Sequence, residues 1–166
     1  CAMHVSFALF ADAANLSQEG KLNILGIFDA LHVTQFPALH PRATFVLRMK
    51  ASTRDTGTHP MLLRWINPRG VELWHSEAQL DIGAPAPGQQ EIDMPIIVQL
   101  DLPLDMLGEF TMRVSIDGRE STVSSLHVRG TPPAPVVPAG AARPPSLPAK
   151  SGPTQRGTSK RGNAQS

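Results

Sequence analysis

The side chains best suited to binding a metal or moving a proton near neutral pH in this 166-residue chain are six histidines and fourteen carboxylates. His32, His40, His59 and His75 are the candidate imidazole ligands, with Asp29 three residues ahead of His32. A metal site needs several such groups at one point, and spacing signals it when two ligands share a helix face or alternate positions of a strand. No pair of these histidines has that spacing. They read as surface or turn residues, and no metal or cofactor is expected. Asp12 and Asp29 flank an opening hairpin. Carboxylates at converging strand ends can act as an acid and base pair, but the pattern around these two is that of solvated strand ends. A catalytic reading built on Asp12, Asp29, His32 and His75 requires at least three of them in one pocket. The chain has no Gly-x-x-x-x-Gly-Lys-Ser/Thr phosphate loop, no Gly-x-Ser-x-Gly elbow, no His-Glu-x-x-His and no cysteine pair, which removes four common enzyme classes. No catalytic residue is assigned.

The elements that must carry these groups are strands. His4 to Ala14 is apolar on both faces, as in a strand covered on two sides, and Leu22 to Phe28 follows after the turn residues Asn15, Ser17 and Gly20. The two segments form a hairpin in which Gly26 marks a bulge or a close backbone approach, and the chain continues extended through Leu31 and Val33. Pro37 and Pro41 mark an irregular crossing. Ala43 to Lys50 alternates Phe45, Leu47 and Met49 against Thr44, Arg48 and Lys50, a half-buried strand. Arg54 to Pro60 is a polar turn, and Met61 to Ile66 the next strand. Asn67-Pro68-Arg69-Gly70 has the residue preferences of a type I turn, so Val71 to Ile82 returns beside it, with Leu63 opposite Trp74 and an irregular pattern that can hide a bulge. Ile92, Met94, Ile96, Val98 and Leu100 fall on alternate positions. Pro95 in the same run cannot donate to a ladder, which places the strand at an edge or leaves it locally unpaired. A helical turn is expected around Pro103 to Leu107. Phe110, Met112, Val114 and Ile116 alternate again, Asp117-Gly118 is a type I′ hairpin signal, and Arg119 to Val128 closes the domain.

About eight strands and no amphipathic helix predict an all-β fold. The alternating strands need a second apolar surface to cover them, so two packed sheets follow, with a closed barrel as the alternative. Charge is unevenly placed: residues 1–130 hold ten basic and fourteen acidic residues, a net of −4, whereas 131–166 hold five basic residues and no acid, a net of +5. Eight of the sixteen prolines lie in that last segment. With almost no bulky apolar side chain it cannot offset the entropy of ordering itself, so it is expected to be a disordered tail beyond a domain of residues 1–130. Its Pro-x-x-Pro stretches at Pro132, Pro135 and Pro145 match proline-groove ligands, but prolines at this density generate the motif by chance and a plain linker or solubilising tail is the favoured reading. Its five dispersed cations, without aromatic residues, give weak salt-sensitive contact with nucleic acid at most. Cys1 is the only cysteine, so no intrachain disulfide forms, which fits a reducing compartment. With no secretory signal and no apolar run of about 20 residues the expected location is cytoplasmic. An acylated Cys1 is the lesser alternative to one or two residues preceding a natural start at Met3. Without a secretory signal the sequon Asn15-Leu16-Ser17 carries no weight.

Ala8-Leu9-Phe10-Ala11-Asp12 followed by Gly20-Lys21-Leu22-Asn23-Ile24-Leu25-Gly26 resembles the opening of a family of small bacterial proteins of unknown function. The hairpin at Asn67 to Gly70 and the ending from Leu102-Pro103-Leu104 through Gly108-Glu109-Phe110 to Asp117-Gly118 are similar to the same family, over residues 3–129 in all. The resemblance implies an immunoglobulin-like sandwich and no assigned activity. The chain has no tyrosine, so the tyrosine corner of many such domains cannot form. Two functions from different classes follow. One is a non-catalytic module that binds or scaffolds another protein through a sheet face or edge, with Ile92 to Leu100 as the edge to watch. The other is an enzyme of unrecognised type with the Asp/His site named above.

Overall fold

The computed structural model describes residues 3–130. Cys1 and the expected proline-rich basic tail, 131–166, lie outside the described residues. Nine strands follow one another: β1 (His4–Leu16), β2 (Leu22–Phe28), β3 (Ala30–His32), β4 (Ala38–Ser52), β5 (Gly57–Ile66), β6 (Glu72–Ile82), β7 (Glu91–Leu104), β8 (Gly108–Ile116) and β9 (Arg119–Arg129). The one helical element among the described residues is a single 3-10 turn at Thr53–Asp55. It is capped where Ser52 Oγ accepts from Arg54 N while Asp55 receives the Ser52 N–H. No helix in this span is long and apolar enough to cross a membrane.

The strands form two sheets, ordered β2-β1-β4-β7 and β3-β9-β8-β5-β6. All pairs are antiparallel except β3 with β9. β4 and β7 stand as strands B and E of an immunoglobulin sandwich. β5, β8 and β9 stand as C, F and G, with β6 added beyond C. The protein is an immunoglobulin-like β-sandwich, not a barrel: each sheet keeps two edges.

The core lies between the sheets and follows from period-2 alternation. Phe45, Leu47 and Met49 of β4 face Phe110, Met112 and Val114 of β8, all fully buried. Trp65 stacks on Phe110 with ring centroids 5.2 Å apart and meets Phe10 edge-on at 5.9 Å. Each such aromatic or Leu-sized side chain contributes about 1.5–3 kcal/mol by leaving water.

Several sequence expectations are revised. There is no irregular crossing at Pro41, because β4 starts at Ala38 and absorbs Arg42, at φ 54°, in a bulge between His40 and Ala43. The polar turn shrinks to Thr53–Thr56, and β5 begins at Gly57. Pro103 and Leu104 end β7 rather than opening a helical turn. The suspected bulge exists, between Trp65 and Ile66. The turn pairs Asn67 with Val71 and not with Gly70, and the bulge adds one more position, so that Trp74 lies opposite Trp65 and not opposite Leu63.

Candidate functional site

The residues of the catalytic reading are spread over the sandwich. Asp12 lies on β1, its carboxylate against the α-carbon of Gly26 on β2. Asp29 sits between β2 and β3, where its carbonyl accepts from His127 N. His32 ends β3 and lines a small groove with His40, without Asp12, Asp29 or His75. His75 is on β6, the opposite edge of the five-stranded sheet, where Nδ1 meets Glu72 Oε1 at 2.8 Å. Three of the four therefore do not meet, and among the described residues no group of three or more His, Cys, Asp or Glu side chains is placed to hold a metal.

One histidine does have a built environment. His59, at the start of β5, places Nδ1 2.7 Å from Asp117 Oδ2 and Nε2 2.7 Å from the Asp55 carbonyl. Both partners are acceptors, so the ring satisfies both only when it carries two protons. The Asp117 carboxylate foremost, and then the Asp55 carbonyl, raise its pKa above the ordinary value of 6.5. The ring ties the 3-10 turn to the β8–β9 hairpin. Spacing could not reveal this, because the partners lie 4 and 58 residues away.

The outer face of the four-stranded sheet is closed by the chain itself. Leu22 pairs with Leu16 at the far end of the β1–β2 ribbon. In a straight ribbon it would stand about 30 Å from Phe7, nine residues back along β1. Instead Phe7, Leu22 and Ile24 line one groove with Arg48, Asp93 and Pro95. The ribbon is thus an arm that folds back over the sheet. Val46 and Thr44, on the face of β4 opposite the core row, are accordingly buried, and Thr44 Oγ1 donates to the Asp12 carbonyl at 3.3 Å. Gly26, at φ 66°, occupies the bend, and an added Cβ there would fall 2.2 Å from Asp12 Oδ2.

The outer face of the five-stranded sheet is polar at its centre. Arg64 and Arg113 lie directly opposite each other on β5 and β8, an unfavourable like-charge register. Arg113 is relieved by Glu120 at 3.0 Å.

The open part of the molecule is the β7 edge. β7 runs for 14 residues and pairs only with β4. Its core-facing row, Ile92, Met94, Ile96, Val98 and Leu100, is only half-buried, whereas the matching row of β4 is fully buried. On the outer face the strand is acidic: Asp93 is bound by Arg48 and Glu91 by Lys50. The guanidinium of Arg48 holds the Asp93 carboxyl below its ordinary range. Above this edge, Trp65 Nε1 donates to the Pro103 carbonyl at 2.9 Å, which sets β5 over β7. Trp74, opposite Trp65 on β6, has a buried Nε1 that meets no acceptor among the described residues.

A family model described as a family of unknown function, DUF6941, matches residues 6–129. An immunoglobulin-like protein from Pseudomonas aeruginosa of solved structure is similar over 78% of this chain and 98% of its own, at 12% identity and a TM-score of 0.34. No curated protein matches the chain.

Proposed function

The chain belongs to this family of unknown function, and we propose that it works as a non-catalytic protein-binding module whose docking site is the free edge of β7. The observation that carries this reading is the half-buried apolar row Ile92 to Leu100 on a long unpaired edge. Natural sandwiches blunt such edges with charge, bulges or covering loops. This one keeps its charges on the outer face and leaves the core-facing row from Ile92 to Leu100 partly exposed, a surface whose further burial by a partner is favourable. The β2 edge is short and twisted into the arm and β3 has three residues; β6 is a second long edge, but most of its side chains are polar and exposed, so it lacks the apolar row that β7 carries.

The test is affinity capture from a lysate of the source organism with the full chain and with Val98→Lys, which sets a cation in the half-buried row opposite Phe45 of β4. A specific partner held by the full chain and lost with the variant supports the reading. Equal recovery with both moves the binding surface elsewhere. Far-ultraviolet circular dichroism and the melting temperature of Val98→Lys exclude misfolding as the cause of a loss.

A further inference from the structure

The outer face of the five-stranded sheet carries a charge that the fold does not balance. His75 on β6, Arg64 on β5 and Arg113 on β8 stand in one row across that face. Glu72 meets His75 and Glu120 meets Arg113. Arg64, half-buried between them, makes no ion pair or side-chain hydrogen bond with any described residue. Its Nε is buried without an acceptor, as is that of Arg113, and a charged donor left unmet is unfavourable. Arg64 also lines a groove of about 830 Å³, within the size range of small-molecule sites. We infer that this groove binds a small monocarboxylic acid with an apolar body, its carboxylate against the Arg64 guanidinium.

The lining sets that chemistry. Pro60, Leu62 and Arg64 alternate with the buried Met61 and Leu63, so they share the outer face. Along β5 the groove runs from Arg64 to Pro60, about 13 Å at the rise of a strand, past the half-buried Leu62. Asp117 N donates to the Pro60 carbonyl at 3.0 Å and holds the β8–β9 hairpin, with Gly118, at the far end. A carboxylate at Arg64 gains a charge-assisted hydrogen bond, Ser115, opposite Leu62, offers its hydroxyl as a second donor, and an apolar body covers Leu62 and Pro60. The charge count calls for a monoanion. Arg113 is already matched by Glu120, and Glu77, opposite Leu62 on β6, lines the same groove. One unmatched cation near one acid suits a single negative charge and opposes the second charge of a phosphate monoester. Glu77 itself does not pair with Arg64. It is exposed, so such a pair would be screened by water, whereas a ligand that covers Leu62 shields its own carboxylate as it binds.

The experiment titrates the isotope-labelled full chain with octanoate, octanol and octyl phosphate at constant ionic strength and follows the amide and arginine Nε–H resonances by NMR. Octanoate is expected to saturate and to move the Arg64 Nε–H together with the amides of Leu62, Ala78 and Ser115. Octanol, which lacks the charge, is expected to bind about tenfold more weakly, and Arg64→Gln to hold octanoate about tenfold more weakly. Glu77→Gln removes a repelling carboxylate and is expected to bind octanoate about twofold more tightly. Octyl phosphate is expected to bind no more tightly than octanoate. An Arg64 Nε–H that does not move, equal affinity for octanol, unchanged affinity in Arg64→Gln, or octanoate shifts confined to the groove under the arm at Leu22 and Ile24 overturns the inference. So does tighter binding of octyl phosphate, which assigns a dianion, or weaker binding by Glu77→Gln, which assigns a zwitterion. The amide spectrum and melting temperature of Arg64→Gln show whether it is folded. If it is not, the octanol comparison and Glu77→Gln, at an exposed position, decide. The groove shares no residue with the β7 edge, so its failure leaves the docking reading to stand or fall with Val98→Lys.

Discussion

Replacing His59 by Gln tests whether the imidazolium ties the 3-10 turn to the β8–β9 hairpin. Its side chain is 18% exposed, and both ring nitrogens face acceptors at 2.7 Å. A hydrogen bond from a charged group contributes about 1.5–3 kcal/mol. Asp117 is 47% exposed, so solvent screens its share toward the small values of surface pairs. The ring is therefore worth about 2 kcal/mol when protonated. Because the folded pKa is raised above 6.5, the unfolded chain binds fewer protons than the folded one between the two values. The stabilisation is thus complete below the unfolded value and is lost as pH rises through the folded one. A neutral ring donates from one nitrogen only and turns a lone pair toward the other acceptor. Urea unfolding at pH 5.5 and pH 8.5 is expected to show the wild-type chain losing about 1–2 kcal/mol more than His59→Gln over that interval. Subtracting the variant removes the contribution of the other five histidines. A His59 ring proton that titrates at or below pH 6.5 by NMR, or identical pH slopes in the two chains, refutes the reasoning.

Asn67 accepts from Arg69 N and Val71 N and donates to Asp105, binding the β5–β6 turn to the segment after β7 while 5% exposed; Asn67→Ala is expected to cost about 2–3 kcal/mol in urea unfolding, because two backbone N–H groups lose their acceptor. Gly26→Ala forces a left-handed φ on a residue with a Cβ and drives that atom into Asp12, a cost of about 1–3 kcal/mol; the Asp12→Ala background should remove the clash but not the backbone part, so a double-mutant cycle shows positive coupling. Hydrogen bonds from Ser52 hold the Asp55 carboxyl below its ordinary 3.8, and Arg48 does the same for Asp93. Stability from these groups is full above that pH and is lost as pH falls through their depressed values, so Asp55→Asn should flatten the acid limb of a stability curve below about pH 4 while leaving its neutral part level.

The fold was legible because the signals that specify a sandwich are local. Phe110 to Ile116 alternate without exception and all four apolar members are buried, Asp117-Gly118 takes the positive φ values that a type I′ turn demands, and Pro95 announced an edge strand that β7 is. Register was less legible: the turn closes on Val71 and not Gly70, and the bulge next to Ile66 adds a second position to the displacement of Trp74, although no residue type compels a bulge there. The arm was partly written in Gly26, read as a bulge or close approach, but nothing local says that the ribbon bends back over Val46. The His59 bridge was invisible for the same reason that the Asp12, Asp29, His32 and His75 grouping failed. Side chains meet through strand order, which links positions tens of residues apart, and a spacing rule sees only neighbours along one element.

The arm and the edge belong to one argument. An isolated four-stranded sheet exposes one face and two edges, and in this chain the end of β1 beyond its pairing with β4, together with the seven residues of β2, makes a ribbon that folds over that face. Leu22 and Ile24 turn inward to do so, while Leu25 and Ile27 remain outside at 67% and 63% exposure. Had the ribbon instead lain beside β7, it would have paired that edge. Its placement on the β1 side leaves the row from Ile92 to Leu100 of β7 only half-buried, although the same chain covers the equally apolar Val46 completely. Stability alone does not separate the two placements, since both bury apolar surface at a similar yield per unit area. What separates them is that the observed one leaves the apolar row of β7 free on the four-stranded sheet, which is why the functional reading rests on β7 and not on any face of the sandwich.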